Sequence, residues 1–409
     1  MKYKGNGALD WLIVGGGIHG VHVAARLVGQ VGVPRSRLAI VDPGEGLLAT
    51  WRRRAARTGM RHLRSPAVHH VGLSPYSLRQ FPSRNPWLGN EPFAAPYDRP
   101  SVELFDAHSD WVLDNYGLDT CHVRDRVSAI ELAGGPATVR TDGGLSLRAR
   151  HLVLAMGPPP PSRPSWAPPA EPRVQHIFAD DLHWPDQPER VVVIGGGITG
   201  AQVSQRLAAE GHDVTLVSRH GFRVKQFDSE PGWLGPRFMR AFDKLTCHNQ
   251  RRNEIAQARH RGSMPHDVHR ALKAALETGA VALRQADVAS FGSSPDLLAL
   301  ALDDGGLIEA DRVILATGFE ARRPGGAVID DLVQRAGLPC ADCGFPIVDR
   351  SLRWHPRVFV TGPLAELELG PTSRNIAGAR AAGDRIAKVA ARWHAVGLSS
   401  ESQPACVLR

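Results

Sequence analysis

Trp11-Leu12-Ile13-Val14-Gly15-Gly16-Gly17-Ile18-His19-Gly20 is an apolar run that ends in G-x-G-x-x-G. Val21, Ala24, Ala25 and Val28 follow at helical spacing. Strand, tight glycine turn and helix in this order form the context of a dinucleotide fingerprint. Each glycine has a reason. The first allows the turn, the second removes a Cβ that would hold the backbone away from a pyrophosphate, and the third lets helix pack on strand. The helix N-terminus then turns unpaired N–H groups toward the phosphates. One such motif is weak evidence. A second copy, Val191-Val192-Val193-Ile194-Gly195-Gly196-Gly197-Ile198-Thr199-Gly200, is followed by Val203, Leu207 and Ala208. Two copies with the same flanks predict two dinucleotide-binding units.

The copies differ at the end of their second strands. The first reads Arg37-Leu38-Ala39-Ile40-Val41-Asp42. Asp42 stands at roughly the ~20-residue spacing of the acid that accepts from a ribose diol. The second reads Val214-Thr215-Leu216-Val217-Ser218-Arg219, with Arg223 and Lys225 beyond. No acid stands there. A cationic, hydroxyl-bearing end suits a 2′-phosphate, hence NADPH over NADH.

Two more buried-strand patterns close on glycine: His151-Leu152-Val153-Leu154-Ala155-Met156-Gly157 and Arg312-Val313-Ile314-Leu315-Ala316-Thr317-Gly318. Glycine at such an end allows close approach to a cofactor. Positions 157–172 are Pro-rich and read as a linker. Near the end, Val358-Phe359-Val360-Thr361-Gly362-Pro363 precedes Gly370-Pro371-Thr372-Ser373-Arg374-Asn375 and a helical pattern, with Thr372 or Ser373 as expected cap.

Composition bounds the rest. The 409 residues suggest two or three domains. Hydrophobic residues at 43% exclude a disordered chain. No stretch approaches the ~18 consecutive apolar residues of a membrane span. No signal-peptide core precedes the first strand. Five cysteines make no disulfide framework, so a cytoplasmic setting is expected. The net charge of +8 rests on scattered arginines, with one run at Arg52-Arg53-Arg54. A nucleic-acid binder would concentrate them, so anionic cofactors or substrates fit better.

Taken together, these residues resemble the two-dinucleotide-binding-domain flavoproteins, over roughly residues 8–395. The resemblance implies an α/β fold of two Rossmann-like domains, the NADPH domain inserted into the FAD domain. It implies a first FAD segment over 1–172, an NADPH domain over 188–317, a second FAD segment over 318–395 and a tail over 396–409. Within that group the chain looks most like the flavin-dependent monooxygenases, including the branch that N-hydroxylates lysine or ornithine. Gly46-Leu47-Leu48-Ala49-Thr50-Trp51 resembles the segment ending in a Trp beside the flavin. Gly59-Met60-Arg61-His62-Leu63-Arg64-Ser65-Pro66 resembles the segment lining the isoalloxazine ring. His176 stands where these monooxygenases place a fingerprint His, and Ala316-Thr317-Gly318-Phe319 resembles their A-T-G-[FY].

On that basis FAD is expected at Gly15, Gly17, Gly20, Asp42, Trp51, Met60, Gly362, Thr372 and Asn375. NADPH is expected at Gly195, Gly197, Gly200, Ser218, Arg219, Thr317 and Gly318. Ser65 stands at the place of the active-site Asn and is the candidate catalytic residue. The implied partners are O2 and a small-molecule substrate, an amine or other soft nucleophile, oxygenated through a flavin C4a-(hydro)peroxide. No metal, membrane or nucleic acid is implied. The chain departs from the pattern at Ala170, Pro172 and Asp180, where the fingerprint has an aromatic, a glycine and an aromatic. The substrate-holding lysine of the lysine/ornithine branch has no clear counterpart.

Rival readings have their own residues. Cys340-Ala341-Asp342-Cys343 is the spacing of a redox dithiol, which would make the chain a reductase for a disulfide, quinone or protein partner. Its place after Phe319 matches neither dithiol position of related reductases, so an incidental pair is favoured. A non-catalytic flavin-binding sensor is the other rival. Trp51, Met60, His62, His69, His70, Phe81, Trp87, Phe93 and Tyr97 are read as an aromatic wall over a planar ring or as ordinary packing. Arg223–Met239 is expected to be a mobile loop over NADPH or substrate. Arg251–Arg261 is expected to be a solvated helical face.

Overall fold

A computed structural model describes residues 8–85 and 91–396 of the chain. The expected tail and Trp87 lie outside those residues, residue 396 excepted.

The first unit is built on an eight-stranded sheet. Its main path runs Arg353–His355, Val358–Val360, Ser146–Leu154, Leu9–Val14, Leu38–Asp42 and His122–Arg124. Leu9–Val14 lies parallel to both of its neighbours. Val127–Glu131 and Ala137–Thr141 extend Ser146–Leu154 as an antiparallel meander. Leu9–Val14 and Leu38–Asp42 are apolar at every position but one, Asp10 and Asp42, because both faces are covered. Leu12, Val14, Leu152 and Leu154 enter one core; Ile13, Ile40, Val153 and Phe359 enter the other. The last helix, Ile376–Val396, packs on the first, Ile18–Arg26. A Cβ on Gly383 would lie 2.6 Å from the His22 ring, so glycine permits the crossing.

The second unit has a five-stranded parallel sheet ordered Val281–Arg284, Asp213–Val217, Arg190–Ile194, Arg312–Leu315 and Val174–His176. A three-stranded antiparallel sheet, Val288–Ser293, Leu298–Leu302 and Leu307–Ala310, packs beside it. Each unit thus carries its glycine turn on a central parallel strand, and the second lies between two stretches of the first. This is the expected doubly Rossmann-like α/β fold.

Three local readings need correction. The sheet of the second unit takes its edge strand from Val174–His176, ahead of the expected start at 188. The Pro-rich stretch pairs instead of only linking: the Ser162 N–H donates to the Gly318 carbonyl at 2.9 Å. The last helix is not capped by Thr372 or Ser373, because Pro371–Arg374 form a 3-10 turn of their own. Asn375 directly precedes the helix, and its carbonyl accepts the Ala379 N–H.

Between Asp213–Val217 and Val281–Arg284 the chain makes a long excursion. Its roots, Arg223–Val224 and Ser263–Met264, pair in parallel. Helices Pro236–Phe242 and His248–Ala258 lie between them. Phe242 and Ile255 pack with Ala341, Phe345 and Leu367 of the first unit. This excursion seats one domain on the other.

Candidate functional site

The first glycine turn has the geometry its sequence predicts. Gly15 is left-handed (φ 109°), and a Cβ there would meet the Ala155 carbonyl oxygen at 2.2 Å. A Cβ on Gly20 would lie 1.9 Å from the Gly15 oxygen. A Cβ on Gly17 would meet nothing within 4 Å. Two glycines are therefore needed by the protein itself, and the middle one leaves an open cradle for a ligand. Asp42 closes the turn: Oδ2 accepts from Gly16 N at 2.7 Å and Oδ1 from Gly44 N at 2.8 Å. These groups fit the adenine-side half of a dinucleotide.

Beside this turn lies a cavity of about 370 Å³. Trp51, Ser65, Thr372 and Asn375, four of the expected site residues, line it. Ile18 and Ile376, the first residues of two helices, also line it. Unpaired N–H groups at both helix starts favour negative charge there. His69 lines it too, and burial pushes its pKa down to about 4. The far wall is Phe227, Asp228, Ser229, Glu230, Pro231 and Leu234, from the excursion. That segment, expected as a mobile loop, packs against the first unit.

Charge pairing holds it there. Arg64 of the first unit donates to the carbonyls of Gln226 (2.8 Å) and Lys225 (2.7 Å) and to Ser263 Oγ (2.9 Å), so one guanidinium ties both roots. Asn375 Nδ2 donates to Asp228 Oδ1 at 2.9 Å. Glu366 is 1% exposed and pairs with Arg374 at 2.7 Å and with Arg252. Arg251 reaches Glu368 at 3.1 Å, and Arg259 reaches Asp228 at 3.6 Å. Burial, with Arg374 nearby, lowers the Arg259 pKa to about 10. The expectation of a solvated face over Arg251–Arg261 is thus overturned for these three arginines. The partners of Arg251 and Arg252 lie more than a hundred residues away and that of Arg259 lies in another element of the excursion, so local spacing gave no sign of them.

The second turn differs from the first. Gly195 is left-handed (φ 130°), with a would-be Cβ 2.6 Å from the Ala316 oxygen; on Gly200 it would lie 1.8 Å from the Gly195 oxygen. On Gly197, however, it would meet Gly262 Cα at 3.3 Å. Backbone of the excursion covers this cradle. Ser218 is 3% exposed, and its hydroxyl already donates to the His220 carbonyl at 2.8 Å. Arg219 is 73% exposed and 3.8 Å from Asp287, open to an anion. The Thr317 hydroxyl donates to the Ser162 carbonyl, and Gly318 pairs with the same residue.

Other expected residues fall outside the cavity. Met60 packs with Leu63, Ala67, Leu104 and Phe105. Gly362 faces the His19 ring, and His19 Nδ1 lies 2.8 Å from Thr361 Oγ1. His176 is buried; its Nδ1 accepts the Phe178 N–H, and burial brings its pKa to about 4. Phe178 and Phe319 stack at 5.6 Å, and the Arg54 guanidinium lies over both. Arg53 pairs with Asp180, and Arg57 donates to the Ala179 carbonyl. Arg53, Arg54 and Arg57 therefore fasten the first unit to the start of the second, while Arg52 pairs with Asp106 and Asp110 inside the first. Neither Cys340 nor Cys343 lines the cavity; Cys340 is held by Arg323, and burial raises its pKa.

Two glycine turns, each on the central strand of its own parallel sheet, with one sheet inserted in the other's chain, define a two-dinucleotide-binding-domain oxidoreductase. The chain belongs to the pyridine nucleotide-disulphide oxidoreductase family, whose model matches residues 9–384. No curated protein matches it. Its fold is similar to that of ornithine hydroxylase PvdA from Pseudomonas aeruginosa: TM-score 0.74, 18% identity, 95% of this chain and 100% of that chain covered. Ornithine N-hydroxylase KtzI from Kutzneria sp. 744 gives a TM-score of 0.76 at 16% identity, covering 94% and 99%. Bacillithiol disulfide reductase from Bacillus cereus gives 0.59 at 16% identity, also covering 94% and 99%.

Proposed function

We propose that this chain is an FAD-dependent, NADPH-using monooxygenase that transfers one oxygen atom from O2 to a small molecule, an amine or other soft nucleophile. The observation that carries the reading is the open cradle at Gly17 beside a cavity whose lining, among the described residues, contains no thiol. The higher TM-scores against two ornithine hydroxylases, 0.74 and 0.76, than against a bacillithiol disulfide reductase, 0.59, are in line with it.

FAD supplies hydride acceptance and oxygen activation when bound. The chain's own residues have simpler tasks. Gly15, Gly17 and Gly20 shape the phosphate cradle, and Asp42 holds the turn. Trp51 walls the cavity, while Pro66, Phe227 and Leu234 keep water from it. The helix starts at Ile18 and Ile376 favour negative charge on a bound ring, by about 0.3–2 kcal/mol for such contacts. Ser65, in this reading, positions the reacting group through its hydroxyl. Asn375 keeps its amide oxygen for a ligand while its nitrogen holds Asp228. Arg219 takes the 2′-phosphate.

The test is anaerobic reduction of the flavin-loaded protein by NADPH, then admission of O2 with candidate amines, scoring oxygenated product against hydrogen peroxide. Product equal to the oxygen consumed supports the reading. Electron transfer to a disulfide or quinone with no oxygenated product refutes it.

A further inference from the structure

The two glycine turns are alike in sequence and unlike in surroundings. Gly17 looks into open space, whereas the space beside Gly197 is bounded by Gly262, whose Cα lies 3.3 Å from the would-be Gly197 Cβ. A pyrophosphate drawn up to Gly197 would therefore crowd the main chain at Gly262, which already stands 3.3 Å from the would-be Cβ. Gly262 sits at the end of the excursion, directly before the root Ser263–Met264. The other end, Phe227–Pro231, forms the second unit's wall of the flavin-side cavity. One segment thus stands at both ends of the path between the second turn and that cavity.

We propose that residues 225–263 are a cover that must leave the second glycine turn before NADPH can bind, and that ion pairs to the FAD domain set how often it leaves. The inference rests on reading Gly195–Gly200 as the NADPH turn. The closing contacts are of two kinds. Some lie at the cavity: Arg64 to Lys225, Gln226 and Ser263, and Asp228 to Asn375. Others lie away from it: Arg251 with Glu368 and with the Leu367 carbonyl, and Asn249 with Asp342. The apolar side of the latch is Phe242 and Ile255 on Phe345 and Leu367. Gly262 has φ 67° and nothing near its own Cβ position, so the contact is made by main chain alone and no rotamer change can relieve it.

A ligand that binds only the open state has its affinity reduced by the open fraction, and its binding rate levels off at the opening rate. The experiment is stopped-flow mixing of the flavin-loaded full-length protein with NADP⁺, followed by flavin absorbance. Arg251→Ala and Glu368→Gln loosen the latch from opposite sides and touch neither turn. In the wild type the observed rate is expected to level off with NADP⁺ concentration. In each variant the plateau is expected to rise by roughly 3- to 10-fold, as the Arg251–Glu368 ion pair is lost, with a matching fall in Kd and FAD still bound. A rate linear in NADP⁺ and equal in all three proteins overturns the cover. Binding by the variants alone supports it. Failure of all three to bind NADP⁺, with FAD in place, overturns the NADPH reading of the second turn and the cover with it.

Discussion

The carboxylate of Asp42 accepts the backbone N–H of Gly16 at 2.7 Å, across the turn that joins the first strand to the first helix. Its other oxygen takes the Gly44 N–H, so the acid of the fingerprint organises two loops before any ribose meets it. Asp42→Ala should therefore lower stability without cofactor, by about 1.5–3 kcal/mol for a charge-assisted bond. Denaturant unfolding of flavin-stripped protein measures it. An unchanged midpoint there, with weaker FAD binding, would make Asp42 a ligand residue only.

Gly17 and Gly20 separate two kinds of glycine requirement. Gly17→Val fills open space, so the chain should fold and purify colourless, with FAD affinity down at least about tenfold. Gly20→Val drives a side chain into the Gly15 carbonyl and should prevent folding. Full flavin occupancy in Gly17→Val would remove FAD from this turn.

In the proposed reading Arg219 carries most of the preference for NADPH, because the Ser218 hydroxyl already donates to the His220 carbonyl. Arg219→Ala is expected to cost on the order of 10–100-fold in kcat/KM for NADPH, and NADH should barely change. Ser218→Ala should leave the ratio of the two within about threefold, an allowance of roughly 0.7 kcal/mol. Equal losses with both nucleotides in Arg219→Ala would give that arginine another task.

Cys340 and Cys343 distinguish the proposed monooxygenase from a dithiol reductase. Titrating the protein anaerobically with NADPH should consume two electrons per flavin, in the wild type and in Cys340→Ser/Cys343→Ser alike. The double variant should keep coupled oxygen transfer within about threefold. Four electrons falling to two in the variant would establish the dithiol and overturn the monooxygenase.

Acid should loosen the first unit through its buried histidines. Burial, then the Arg380 charge, lowers the pKa of His69 to about 4 and of His22 and His108 to about 3. Burial, then the His108 charge, lowers that of His70 as well. Each is neutral in the folded protein and takes a proton more readily when unfolded. Stability is therefore complete above pH ~6.5 and falls as pH drops toward 4, with a limiting slope of about 1.4 kcal/mol per pH unit per histidine. Tm measured from pH 7.5 to 4.5 should decline, and His108→Leu should flatten the decline. A rising Tm over that range would contradict the burial.

Both glycine turns, their strands and helices and Asp42 were legible in the residues themselves, while the insertion of one unit in the other came from the family resemblance. Those features are local: a left-handed φ at Gly15 or Gly195 and a missing Cβ at Gly20 or Gly200 are set within a few residues. The cavity side was half legible, with Trp51, Ser65, Thr372 and Asn375 brought together and Met60 turned into packing. Tertiary structure alone decided where the excursion sits, that Gly262 covers Gly197, and that Arg251, Arg252 and Arg259 are half-buried against Glu368, Glu366 and Asp228. A solvated arginine and a buried one read alike in sequence. What distinguishes them is a counter-charge delivered by another stretch of chain, and only folding brings that charge within reach.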